Sequence, residues 1–237
     1  MLTKWHTLLH ETTGVFRTPS ATLGKLMEAK KSLAVFLLLV LTTLVFTYFV
    51  YPIQMEKLSE KAALTGYLSE DQISRYINPS LYSRLMACLF SGVQLTLILG
   101  IGAFFLYLFY GIGGTDGMYI HYFSLVVNAS LIDVLIPGIL NFISIISRKP
   151  LTLFTKPGLL LLSPQPGSFT YLLLERLDLF GIWYLLAVAA GIGVFGKISF
   201  KRSLTISIVY FVFKTTIISA SVYLIFQIFS KGTRLFF

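Results

Sequence analysis

The sequence predicts an all-α integral membrane protein, with five transmembrane helices preceded by an amphipathic N-terminal interfacial segment. Three observations carry this. Five apolar stretches, at about 32–53, 86–110, 122–146, 178–196 and 203–230, are each long enough to cross a hydrocarbon core of roughly 30 Å, which takes about 20 helical residues. The 237-residue chain is 56% hydrophobic and 15% aromatic with a mean hydropathy of +0.81, more than a water-soluble core of this size requires. Its charged residues gather between the stretches or at their ends, with two exceptions deep inside them.

Residues 1–31 read as two short interfacial helices with a break at Thr18-Pro19, where Thr18 can cap and Pro19 suits a first helical position. Leu23, Leu26 and Met27 form an apolar stripe, and Lys25, Lys30 and Lys31 form a basic collar whose ammonium groups reach the phosphates of the membrane surface. A docking helix for a partner protein is the functional alternative for this segment. Charged residues precede the first span with no short apolar run among them, so that span is expected to stay as an anchor and not to be a cleaved signal. The first span, Ser32–Val50 at its core, contains no charge.

Residues 54–85 are the most hydrophilic segment, with cancelling charges; Ser69 and Gln72 suggest a capping box, and Asn78-Pro79-Ser80 a break before the second span. A small helical cap on the membrane is expected there. The glycine-rich link 111–117 lacks the Lys-Ser/Thr of a phosphate loop and follows no strand, so it reads as a tight turn between spans. The prolines of 147–177 exclude a long helix, while Leu159–Leu162 and Ser168–Leu174 are apolar enough to lie in the interface or dip into the membrane. Residues 32–230 thus form one membrane domain, and 231–237 a short tail.

Formal charge is +9, but the basic residues flank spans instead of forming one run. Anionic lipid headgroups are their expected counter-ions, and nucleic acid is not an expected partner. Basic clusters next to span ends, Lys30-Lys31 and Lys197/Lys201/Arg202, favour a cytoplasmic N-terminus, which with five spans leaves the C-terminus outside the cell membrane. The single cysteine, Cys88, has no partner for a disulfide within the chain.

The two exceptions are Asp133, midway along the third span, and Lys214, midway along the fifth. Charges at such depth cost several kcal/mol when isolated. With alternating spans the two helices run in the same direction and the two residues lie at nearly equal depth, so a buried polar cluster is expected, with Asn141 as its third member on a nearby helix face. Two readings stay open: an ion pair that fixes helix register, or an ion, proton or headgroup pathway, aided by Pro137, which lacks the N–H that would bond the Asp133 carbonyl. His6 and His10 share a helix face but have no third ligand in view, so no metal and no cofactor is expected. Neither Gly-x-Ser-x-Gly nor His-Glu-x-x-His occurs, which leaves an intramembrane hydrolase unsupported. Ala187-x-x-x-Gly191 and Ala189-x-x-x-Gly193 read as internal helix contacts.

At Leu177-Asp178-Leu179-Phe180-Gly181-Ile182-Trp183, followed by Gly191, the chain resembles the bacterial branch of the Yip family, the Ypt/Rab-interacting multipass membrane proteins. Phe16-Arg17-Thr18-Pro19 with Thr22-Leu23 resembles that family's N-terminal proline and short helix, and Pro137 its third-span proline. The resemblance covers about 15–230, through span order more than strict motif. It implies five spans, a cytosolic N-terminus and no established catalytic reaction; eukaryotic members act in vesicle traffic and Golgi organisation, and some bacterial relatives accompany export transporters. The eukaryotic Asp-Leu-x-Gly-Pro motif is missing, since Asp178-Leu179-Phe180-Gly181 lacks its proline, so Rab binding is not implied. Asp178 and Trp183 fit an interface anchor, with the indole at headgroup level. The expectation is a non-enzymatic protein that organises or assists a membrane complex with a membrane-protein partner; the alternative is a small transporter or lipid-moving protein that uses Asp133 and Lys214.

Overall fold

The computed structural model describes residues 14–15, 22–23, 32–64, 78–114, 116–147 and 168–235. All regular structure among them is helical. Four helical segments are long and apolar enough to cross a membrane, Ser32–Glu56, Leu81–Ile112, Tyr119–Ser147 and Phe200–Ser221, and a bent pair, Phe169–Arg176 with Leu179–Phe195, makes a fifth if counted as one span.

Helix α1 (Ser32–Leu64) runs past the apolar part of its sequence and through Pro52, so residues 54–64, expected in a separate cap, continue the helix. A single proline removes one backbone bond without ending a helix already propagated on both sides. The capping box at Ser69 and Gln72 lies outside the described residues. Helix α2 (Leu81–Ile112) starts several residues before its apolar stretch, because the Ser80 hydroxyl accepts from the backbone N–H of Ser83 at 3.2 Å and caps it. It lies against α1 through small residues. Thr47 Oγ1 donates to Ser91 Oγ at 3.0 Å, Cys88 Sγ to the Leu44 carbonyl at 3.5 Å, and a Cβ at Gly92 would stand 3.1 Å from Leu44.

The glycine-rich link is a turn, with Gly114 at φ +77°, a conformation that disfavours any side chain. Helix α3 (Tyr119–Ser130) follows and is the centre of the bundle: Tyr122 and every residue from Ser124 to Ser130 are buried. A π-helical turn (Leu131–Leu135) then leads into α4 (Ile136–Ser147), which has no buried residue. The wider turn coincides with Pro137, whose missing N–H leaves the Asp133 carbonyl without its usual partner one turn on.

Helix α5 (Phe169–Arg176) and helix α6 (Leu179–Phe195) meet at an angle of 57° across Leu177-Asp178. Ala187, Ala189 and Gly191 of α6 are buried within the bundle; a Cβ on Gly191 would meet Leu125 at 2.9 Å and Leu23 at 3.0 Å. Leu23 and Val15 are themselves fully buried and belong to the core cluster, which ties this part of the N-terminal segment to the bundle. Lys25, Lys30 and Lys31 lie outside the described residues.

Helix α7 (Phe200–Leu235) presents Ser203, Ser207, Tyr210, Phe211, Thr215 and Ser219 to the interior. It extends beyond residue 230, into the stretch expected as a tail, since no proline interrupts it. Arg202 Nη2 donates to the Gly113 carbonyl at 2.7 Å, which puts the α2–α3 turn and the start of α7 at one end of the bundle.

Candidate functional site

Asp133 is carried by the π-turn and Lys214 by α7. Each stands fourteen residues beyond the start of its helical segment, Tyr119 and Phe200, a rise of about 21 Å for both. The two meet: Lys214 Nζ lies 3.5 Å from Asp133 Oδ2, with 14% of the lysine side chain and 20% of the aspartate side chain exposed. Lys214 Nζ also sits 4.2 Å from the centre of the Tyr184 ring, within cation–π range. Tyr184 Oη is in turn 3.4 Å from Tyr210 Oη. A Cβ at Gly102 would come to 3.1 Å of that Tyr210 oxygen, so the glycine makes the notch in α2 that receives the phenol.

The second carboxylate oxygen has no such company. Asp133 Oδ1 is buried and accepts no hydrogen bond from the described residues. An ionised carboxylate offers several acceptor sites, and one left empty in an apolar interior costs on the order of 1–3 kcal/mol or more. Asp133 lines a cavity of about 480 Å³ whose wall also includes Lys214, Asn141, Glu175, Arg176 and Asp178. That volume lies in the range of small-ligand sites, roughly 300–1,000 Å³. Glu175, Arg176 and Asp178 belong to the break between α5 and α6, so the cavity connects the ion pair to the polar bend between these helices.

Asn141 stands on this wall, exposed, and its side chain makes no hydrogen bond among the described residues, so it shares the cavity without bonding to the ion pair. It also borders a second cavity of about 270 Å³ toward α1, with Thr42, Thr43, Thr47 and Gln54. Asn128 is elsewhere: buried, it donates Nδ2 to the Ser124 carbonyl at 2.8 Å. Asp178 caps α6, its Oδ1 accepting from the Gly181 N–H at 2.6 Å, while it faces the cavity. Trp183 is half-buried and packed on the core cluster.

Tyr184, Tyr210, Glu175 and Arg176 were not anticipated as part of this site. Tyr210 had a signal, since it precedes Lys214 by one helical turn on the same face. Tyr184 had none, because its approach to Lys214 depends on how α6 crosses α7. A second hydroxyl group lies toward the other end of the bundle: Tyr110 Oη is 2.7 Å from the Ser203 carbonyl, 2.7 Å from Ser207 Oγ and 2.9 Å from Ser203 Oγ. Among the described residues no three His, Cys, Asp or Glu come together as a metal site; His6 and His10 lie outside them.

No family model, curated protein or solved structure matches the chain.

Proposed function

We propose that the chain is a five-span, non-enzymatic protein of the cell membrane that takes a polar or charged ligand into the cavity at Asp133 and Lys214, as a small carrier or lipid-handling protein. The observation that carries this reading is Asp133 Oδ1, a buried acceptor left open toward a cavity whose wall bears both signs of charge. A pair serving helix register alone has no need of such a space, and intramembrane charges that face a cavity commonly mark a ligand or ion path. The break between α5 and α6 supports it too, because its Glu175, Arg176 and Asp178 line the same cavity as the ion pair.

A second reading is favoured by Lys214, which already has a carboxylate and an aromatic ring as partners. In it the ion pair only locks the π-turn to α7, and the protein organises or assists a membrane complex, as the likeness to the bacterial Yip branch implies. The N-terminus would face the cytoplasm, the basic collar would rest on anionic headgroups, and a membrane-protein partner would be held. Extraction into native-lipid particles and mass spectrometry of what is bound separates the two. A specific small molecule or lipid present in the parent protein and lost in folded Asp133→Asn and Lys214→Met supports the carrier. A stoichiometric protein partner retained in both variants, with no such ligand, supports the organiser and removes the carrier reading.

A further inference from the structure

The polar cavity does not end at Lys214. On its far side, between α2 and α7, lies an apolar groove of about 310 Å³ that includes Phe90, Val93, Leu97, Ile101, Phe105 and Ile217. Ile98, Lys214 and Ile218 belong to the walls of both spaces. At these residues a compartment with five ionisable side chains adjoins one lined almost wholly by hydrocarbon, and the ammonium of Lys214 stands at the junction. Val93, Leu97 and Ile101 are exposed along the groove, which puts it on the outer surface of α2 where acyl chains would lie.

We infer that the cavity and the groove are one bipartite site for a lipid whose headgroup carries a primary ammonium and a phosphodiester, with the headgroup in the cavity and an acyl chain in the groove. This rests on the cavity being a ligand site, as proposed above. The headgroup chemistry follows from the charges. Asp133 Oδ1 lacks a donor, and an ammonium supplies one. Lys214 has three N–H donors, of which one is directed to Asp133 Oδ2 and one side of the group is covered by the Tyr184 ring, leaving a donor for phosphate oxygen; Arg176 in the same lining offers a planar second contact. A purely anionic headgroup would meet Asp133, Glu175 and Asp178 with no cation of its own. The groove contributes by holding the chain next to the shared lining at Lys214, which raises the effective concentration of the headgroup.

The test uses the full-length protein in phosphatidylcholine particles, titrated with phosphatidylethanolamine, phosphatidylglycerol or water-soluble phosphoethanolamine, with bound ligand counted by native mass spectrometry. Phosphatidylethanolamine is expected to bind at least about tenfold more tightly than phosphatidylglycerol. It should lose about tenfold or more in Asp133→Asn, and likewise in Leu97→Trp or Val93→Trp, which fill the groove from exposed positions and whose folding is checked by thermal unfolding. Phosphoethanolamine should bind far more weakly than the lipid. If it binds as tightly as the lipid and neither tryptophan matters, the cavity is a ligand site but the bipartite lipid site is wrong. Preference for phosphatidylglycerol overturns the headgroup assignment. Binding of none of the three overturns both the inference and the cavity reading beneath it.

Discussion

Replacing Lys214 by methionine keeps a long flexible apolar stem and removes the charge. At 3.5 Å the pair attracts with about 5 kcal/mol at an effective dielectric constant near 20. Desolvation of both groups offsets most of that, so the intact pair adds little net stability; breaking it is different, since the largely buried Asp133 carboxylate then loses its cation, at about 3–5 kcal/mol. Lys214→Met should therefore lower the unfolding free energy by that amount in a denaturant titration in mixed micelles. Asp133→Asn/Lys214→Met should recover most of it, because no uncompensated charge remains. The coupling between the two changes should then be about 2 kcal/mol or more, well above the few tenths expected for independent sites. Additive effects, or a Lys214→Met variant within about 1 kcal/mol of the parent, would refute the claim that these groups compensate each other.

Three further outcomes are expected in the same assay. Gly191→Ala should cost about 1–3 kcal/mol, since its Cβ would meet Leu125 and Leu23 at 2.9 and 3.0 Å, whereas Gly193→Ala, whose nearest neighbour would be 3.7 Å away, should be neutral or slightly stabilising. Tyr110→Phe should cost about 1–3 kcal/mol by taking from the buried Ser207 hydroxyl its bond to Tyr110, while Ser203 Oγ keeps the Ala189 carbonyl; an unchanged midpoint would show that the hydroxyl contributes nothing. Asp178→Ala should cost about 1 kcal/mol through loss of the α6 cap while Asp178→Asn costs little, because an amide oxygen caps as well as a carboxylate; equal losses would assign the effect to charge instead.

The helical architecture was legible because long apolar helices leave a coarse signal: an uncharged run such as Ser32–Val50 has few alternatives in any solvent. Depth matching of Asp133 and Lys214 needed only a rise per residue and alternating direction. What pattern could not supply was anything set by helix rotation or crossing. The π-turn at Leu131–Leu135 has no periodic signature, so the open carboxylate oxygen beside it was invisible. Glu175 and Arg176 read as loop charges because the fold-back of a short α5 onto α7, seen in the bond from Ser219 Oγ to the Leu172 carbonyl at 3.1 Å, is a tertiary event. Leu23 read as membrane-facing for a related reason: burial under protein and burial under lipid ask for the same apolar side chain.

Helix α4 separates the two cavities described above, and Val134, Gly138 and Asn141 form part of the wall of each. The volumes are therefore conjugate: a tilt of α4 that widens the charged cavity narrows the one beside α1, and the reverse. By linkage, a guest that displaces α4 toward the other space weakens binding there, and a guest in that space weakens binding in the first by the same factor. With no buried residue of its own and a π-turn at its root, α4 meets α1 through the stacked rings of Phe46 and Phe142, and it is the element on which such a displacement would fall.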